Sequence, residues 1–91
     1  MAWFVYILLS SRNRKTYTGH TDNVEKRLRE HNAGKSEFTS RFSPWAVIHT
    51  EEYATRPEAI KRERYYKSGA GRIAIAKLME SKGLGGSLAS L

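Results

Sequence analysis

Four side chains in the first third of this chain, Tyr6, Tyr17, Arg27 and His31, and a carboxylate further along, Glu63, are of the types that handle phosphate groups. Hydrolysing a phosphodiester requires a deprotonated water, neutralisation of the charge building on the phosphoryl oxygens, and help for the departing alkoxide. A positioned base, an arginine and a metal ion supply those needs. A free tyrosine titrates near pH ~10, so it serves as a base only where positive charge or hydrogen bonding favours the phenolate. Each residue also has a plainer reading. The tyrosines suit a sheet as packing aromatics, Arg27 can snorkel from the edge of a helix stripe, His31 can be a core histidine, and Glu63 can pair with a neighbouring arginine rather than hold a hard metal.

The elements that must position these groups follow from local pattern. Trp3-Phe4-Val5-Tyr6-Ile7-Leu8-Leu9 is rich in aromatic and β-branched residues and runs into the polar Ser10-Ser11-Arg12-Asn13-Arg14. That predicts a strand, a turn and a returning strand through Thr16 to Gly19. Strand side chains alternate, so Phe4, Tyr6 and Leu8 share one face while Val5, Ile7 and Leu9 share the other. Both faces are apolar and are expected to be covered. Tyr17 and Gly19 share a face of the returning strand, where the two tyrosines can meet across the pair.

Asp22-Asn23-Val24-Glu25 reads as a helix N-cap, Asp22, with an acid three residues later, and Gly34 as its stop. On the helical period Val24, Arg27, Leu28 and His31 form one stripe, with Glu25, Lys26, Arg29 and Glu30 toward water. An arginine on or beside a buried face must be paired or must line a cleft that holds an anion, since isolated charges are costly to bury. A second helix is predicted from Thr55-Arg56-Pro57-Glu58, which has capping-box spacing, to a stop at Gly69. Its inward stripe is Ala59, Ile60, Glu63, Tyr66 and Lys67. Beyond Arg72 a third helical pattern, Ile73, Ala76, Lys77 and Glu80 with Ile75, Leu78 and Met79 around it, ends near Gly83. The glycine- and serine-rich residues 83–91 read as a flexible tail.

In this order the pieces resemble the GIY-YIG nuclease superfamily over about residues 3 to 80. Phe4-Val5-Tyr6 matches the first signature, with Phe4 where the name-giving glycine stands. Tyr17-Thr18-Gly19 matches the second, with Thr18 for isoleucine, and Arg27, His31 and Glu63 follow in their places. In length, and in the stretch Ser40-Arg41-Phe42-Ser43-Pro44-Trp45 leading into a third strand from Ala46 to Glu52, the chain is similar to the small stand-alone bacterial members. The resemblance implies an α+β fold, a central three-stranded antiparallel sheet flanked by helices, over residues 1–82. It also implies one divalent metal, Mg2+ or Mn2+, held by Glu63. Tyr6 would be the general base, Tyr17 and His31 would shape its hydrogen bonds, and Arg27 would hold the scissile phosphate. The activity implied is an endonuclease cutting DNA, in repair or in processing of mobile or foreign DNA. The alternative is a catalytically weak or inactive nucleic-acid-binding module. Many members carry an asparagine after the metal-binding acid; here none follows Asn32, and Lys67 or Ser68 is the expected stand-in.

Composition agrees with this without selecting it. Ninety-one residues at 40% apolar content suit one folded domain with a modest core. The formal net charge of +7 suggests a polyanionic partner. Its positive residues cluster at Arg12 to Lys15, Lys26 to Arg29, Lys35 to Arg41 and Lys61 to Lys67. Lys15, Lys26, Lys35, Arg41, Lys61, Arg64 and Lys67 are the expected nucleic-acid contacts. Without cysteine there is no disulfide frame or thiolate zinc site, and His20, His31 and His49 lack zinc-cluster spacing. The apolar start is too short for a signal peptide or membrane span, so a cytoplasmic protein is expected.

Overall fold

The computed structural model describes residues 2–34 and 41–84, together with the backbone of Ala89–Ser90. Lys35 and most of the expected tail lie outside the described residues. The order is β1 (Trp3–Ser10), β2 (Lys15–Thr21), α1 (Val24–Asn32), β3 (Trp45–Tyr53), α2 (Arg56–Tyr66), α3 (Gly69–Ser81) and β4 (Ala89–Ser90). β1 pairs antiparallel with β2 on one side and β3 on the other. This is the expected three-stranded α+β sheet with helices, to which β4 adds a short parallel pairing beside Lys15 and Thr16.

β1 is the central strand, and its alternation divides the core as predicted. Val5 and Ile7 lie in one buried cluster with Ala59 and Tyr66 of α2 and Ile75 and Met79 of α3. Tyr6 and Leu8 lie in the other with Trp45, and Tyr17, Val24, Leu28, Phe42 and Val47 pack around them. Thus α1 covers one face of the sheet while α2 and α3 cover the other. The turn between β1 and β2 is organised by the buried Ser10 hydroxyl, which accepts from the amide of Arg12 and donates to the carbonyl of Phe42. Asn32, at the end of α1, grips the start of β3 with both ends of its amide. Its Nδ2 donates to the Trp45 carbonyl at 3.1 Å and its Oδ1 accepts the Trp45 amide at 2.6 Å.

Three local expectations are corrected. The cap of α1 is Asn23 rather than Asp22: Asn23 has the extended backbone a cap requires, and its Oδ1 accepts the Lys26 amide at 3.0 Å. Glu30, expected toward water, is partly buried and folds back on Arg27, Nη1 to Oε1 3.2 Å. α3 begins before Arg72, because Ser68 caps it by accepting the Gly71 amide, and its inward face is Gly71, Ile75 and Met79 while Ile73 is 61% exposed. Contact with α2 sets that phase. A Cβ on Gly71 would fall 2.0 Å from the Tyr65 carbonyl oxygen, so only glycine lets α3 start hard against the last turn of α2.

Candidate active site

Register decides which side chains meet. Gly19 stands opposite Tyr6 and Tyr17 opposite Leu8, so the Tyr6 ring lies over Gly19, with Tyr17 diagonal to it on the same face. A Cβ on Gly19 would sit 2.6 Å from Tyr6 Oη and 2.7 Å from its Cζ, so the glycine is what lets the ring lie down. The two tyrosine ring centroids are 6.2 Å apart. α1 delivers His31 onto this pair from its inward stripe, with its ring 4.7 Å from that of Tyr17 and its Nε2 3.0 Å from Tyr6 Oη.

Both members of the Tyr6–His31 pair are shielded from water and both favour their neutral forms. Burial pushes the Tyr6 phenol well above its usual value, the neighbouring Tyr17 adds to this, and the positive charge of Arg27 opposes it without prevailing. Burial, reinforced by Arg27, holds His31 down to about 4. Positive charge does stand near the phenol, as expected from the sequence, yet desolvation outweighs it in the free protein. Arg27 stays fully charged: its own burial is more than offset by hydrogen bonding to Glu30 and by the two tyrosines. It is paired with Glu30, one of the two arrangements expected of an arginine beside a buried face.

Glu63 approaches from the other side of the sheet. His20 stands opposite Val5 and shares its face, and its Nδ1 lies 2.7 Å from Glu63 Oε1. Arg56 Nε donates to His20 Nε2 at 3.4 Å, which leaves the ring proton on Nδ1 to be donated to the carboxylate. Lys67 Nζ donates to Glu63 Oε2 at 2.9 Å and also stands 5.9 Å from the centroid of the Tyr17 ring, so it links the two halves of the site. Burial raises the Glu63 carboxyl, but hydrogen bonds from His20 and Lys67 outweigh this and keep it ionised below its ordinary range. Its partners are therefore a histidine and a lysine, not the neighbouring arginine that the plainer reading expected. Of the two expected stand-ins for the missing asparagine, Lys67 touches Glu63, whereas Ser68 caps α3.

The donor set fits one kind of metal. Among the described residues no group of three or more His, Cys, Asp or Glu side chains converges on a point. Glu63 offers one ionised carboxylate whose two oxygens have spent one hydrogen bond each. A hard ion that keeps most of its waters suits a single such ligand; a tetrahedral zinc cage does not.

Most of the expected cationic contacts face solvent. Lys26, Arg41, Lys61, Arg64 and Lys67 are exposed, while Lys15 Nζ lies over the Phe42 ring at 4.4 Å. Sequence reasoning missed His20, Glu30 and Arg56 as parts of the site. The signal for His20 was its strand parity: it has the opposite parity to Tyr17 and Gly19, hence the opposite face.

A family model described as the GIY-YIG catalytic domain matches residues 2–73. A UPF0213 protein of Natronomonas pharaonis is 39% identical over 66 residues, 71% of this chain and 76% of the relative. One from Listeria innocua is 43% identical over 65 residues, 70% and 71% of the two chains. The solution NMR structure of a UPF0213 protein from Bacillus halodurans superposes with a TM-score of 0.54 at 26% identity, covering 92% of each chain. On the family match over most of its length, on relatives similar in sequence and on one solved structure similar in fold, this chain belongs to the GIY-YIG nuclease family.

Proposed function

We propose that this protein is a divalent-metal-dependent endonuclease that hydrolyses phosphodiester bonds in DNA. The observation that carries the reading is the Tyr6–His31 contact of 3.0 Å beside Tyr17 and Arg27, with an ionised Glu63 joined to it through Lys67. Arg27 holds the scissile phosphate and offsets its developing charge. Glu63 would hold Mg2+ or Mn2+, which when bound supplies Lewis-acid stabilisation of the phosphoryl oxygens. In the complex Tyr6 Oη takes the proton of the attacking water while passing its own proton to His31 Nε2, with His31 as the Nδ1–H tautomer; the negative charge of the phosphate held by Arg27 offsets what disfavours the imidazolium in the free protein. A buried phenol can then act as a base without first ionising. Tyr17 orients the pair. DNA repair or processing of mobile or foreign DNA, and a cytoplasmic location, belong to the same proposal.

A second reading, a nucleic-acid-binding module that cuts weakly or not at all, is favoured by two facts. Both Glu63 oxygens already have partners, and Tyr6 is a phenol in the free protein. Incubation with labelled single-stranded, duplex and branched DNA, with Mg2+, Mn2+ or a chelator, separates the two. Cutting that the chelator stops supports the nuclease, and binding without cutting supports the module. If phosphate contacts dominate, affinity falls steeply with salt; absence of binding refutes both readings.

A further inference from the structure

A second recess lies on the other flank of α2, away from the tyrosine pair. It is a groove of about 420 Å³ lined by Tyr53 at the end of β3 and by Glu58, Lys61, Arg62 and Tyr65 of α2. The four helix residues fall at i, i+3, i+4 and i+7, so they form one continuous stripe. Glu63 faces β2 through His20, so groove and carboxylate are separated by roughly one helix diameter, ~10 Å.

The walls are held in place from beneath by one carboxylate. Glu51 Oε1 accepts the Tyr53 hydroxyl at 2.6 Å and Arg62 Nε at 2.8 Å, and Glu51 Oε2 accepts the Tyr66 hydroxyl and lies 2.7 Å from His49 Nε2. With Nε so fixed, the Arg62 guanidinium lies over the rings of Tyr65 and Tyr66, 4.5 and 4.7 Å from their centroids. Tyr65 nevertheless keeps 38% of its surface exposed, and Lys61 is exposed one turn before it. A lone exposed tyrosine would need no explanation. Two phenol rings, a pinned planar cation and an ammonium around one recess are a different matter, because together they offer stacking surface and a phosphate partner in a volume typical of small-ligand sites.

We infer that this groove binds an unpaired nucleobase with its adjoining phosphate. The base stacks against Tyr65 and Tyr53, and Lys61 pairs with the phosphate. A base inside a duplex hides its faces in the stack, so the occupant is a single-stranded segment flanking the cut site. This inference rests on the reading that nucleic acid is the ligand and extends it to strand structure.

The test is fluorescence anisotropy, with chelator present so that nothing is cut, on a fluorescein-labelled single strand and a blunt-ended duplex. Tyr65→Ala should weaken single-strand binding by roughly 5- to 150-fold, the effect of losing one base–aromatic stack, with the duplex changed by less than about twofold. Tyr65→Phe should bind like the parent, and Lys61→Gln should lower the single-strand salt slope by about 0.7. Equal losses for both DNAs in Tyr65→Ala, or no loss in either, would overturn the inference; should that variant fail to fold, Lys61→Gln decides alone by the same single-strand selectivity. If Tyr65 matters for single strands but no DNA is cut with metal restored, the groove stands and the nuclease reading falls. If DNA is cut but its binding is indifferent to Tyr65, the nuclease reading stands and the groove falls.

Discussion

Acidification should destabilise this protein in a window set by His31. In the folded state its pKa is about 4, because burial and Arg27 disfavour the imidazolium, against about 6.5 in an unfolded chain. Between those values the unfolded state binds a proton that the folded state refuses. Stability therefore rises with pH through the window and is lost as pH falls through it. At about 1.4 kcal/mol per unit the full effect is ~3 kcal/mol, a large share of a small domain's stability. In urea this moves the unfolding midpoint by roughly 1–3 M. Glu51 does not blur the result. Its burial raises its pKa, but hydrogen bonds from Tyr53, Tyr66, Arg62 and His49 hold it at about 2. Its contribution, present above the ordinary carboxylate value near 4.3, is lost as pH falls from there toward about 2, so it meets only the lower edge of the His31 window. The assay is urea unfolding followed by circular dichroism across the window, for parent and His31→Gln. The variant should lose most of the slope there, since glutamine does not titrate, and subtracting its profile removes whatever His20 and His49 contribute. A parent whose stability is level across the window, or a His31→Gln protein with the parental slope, refutes the reasoning.

Tyr6→Phe removes the hydroxyl bonded to His31 and should lower the cutting rate by roughly 10²–10⁴-fold at unchanged DNA affinity. Because it strands a buried ring nitrogen it should also cost ~1–3 kcal/mol of stability, measured by thermal melting; Tyr17→Phe should be milder in rate, and parental rates in a folded Tyr6→Phe protein would remove the base from Tyr6. Glu63→Gln should abolish metal-dependent cutting while leaving anisotropy-measured DNA binding intact or tighter. Cutting comparable to the parent would rule out the metal-ligand role. Gly19→Ala places a methyl where Tyr6 lies, so the ring must move: the expected cost is ~1–3 kcal/mol, with cutting reduced by more than melting alone explains, and an unaffected rate would show that the ring's position over Gly19 is not needed.

What the sequence determined by itself was local. The two-faced alternation of Val5 to Leu8, the stripe that carries His31 inward, and the cap at Thr55 that accepts the Glu58 amide each depend on neighbours within a few residues. The ordered signatures likewise placed Tyr6, Tyr17 and His31 in one family, and folding brings them into contact. The rest depended on register and on burial, which no local pattern encodes. Strand parity gave the face of His20, but only the packing of α2 on that face brought Glu63 to 2.7 Å from it, and the fold-back of Glu30 supplied a partner for Arg27. The close approach at Gly71 rotated α3 so that Ile73 faces water. The protonation of Tyr6 was undecidable from sequence for the same reason: Arg27 and desolvation push the phenol in opposite directions. Their balance depends on how completely the packed sheet and α1 exclude water, and only the tertiary structure settles that.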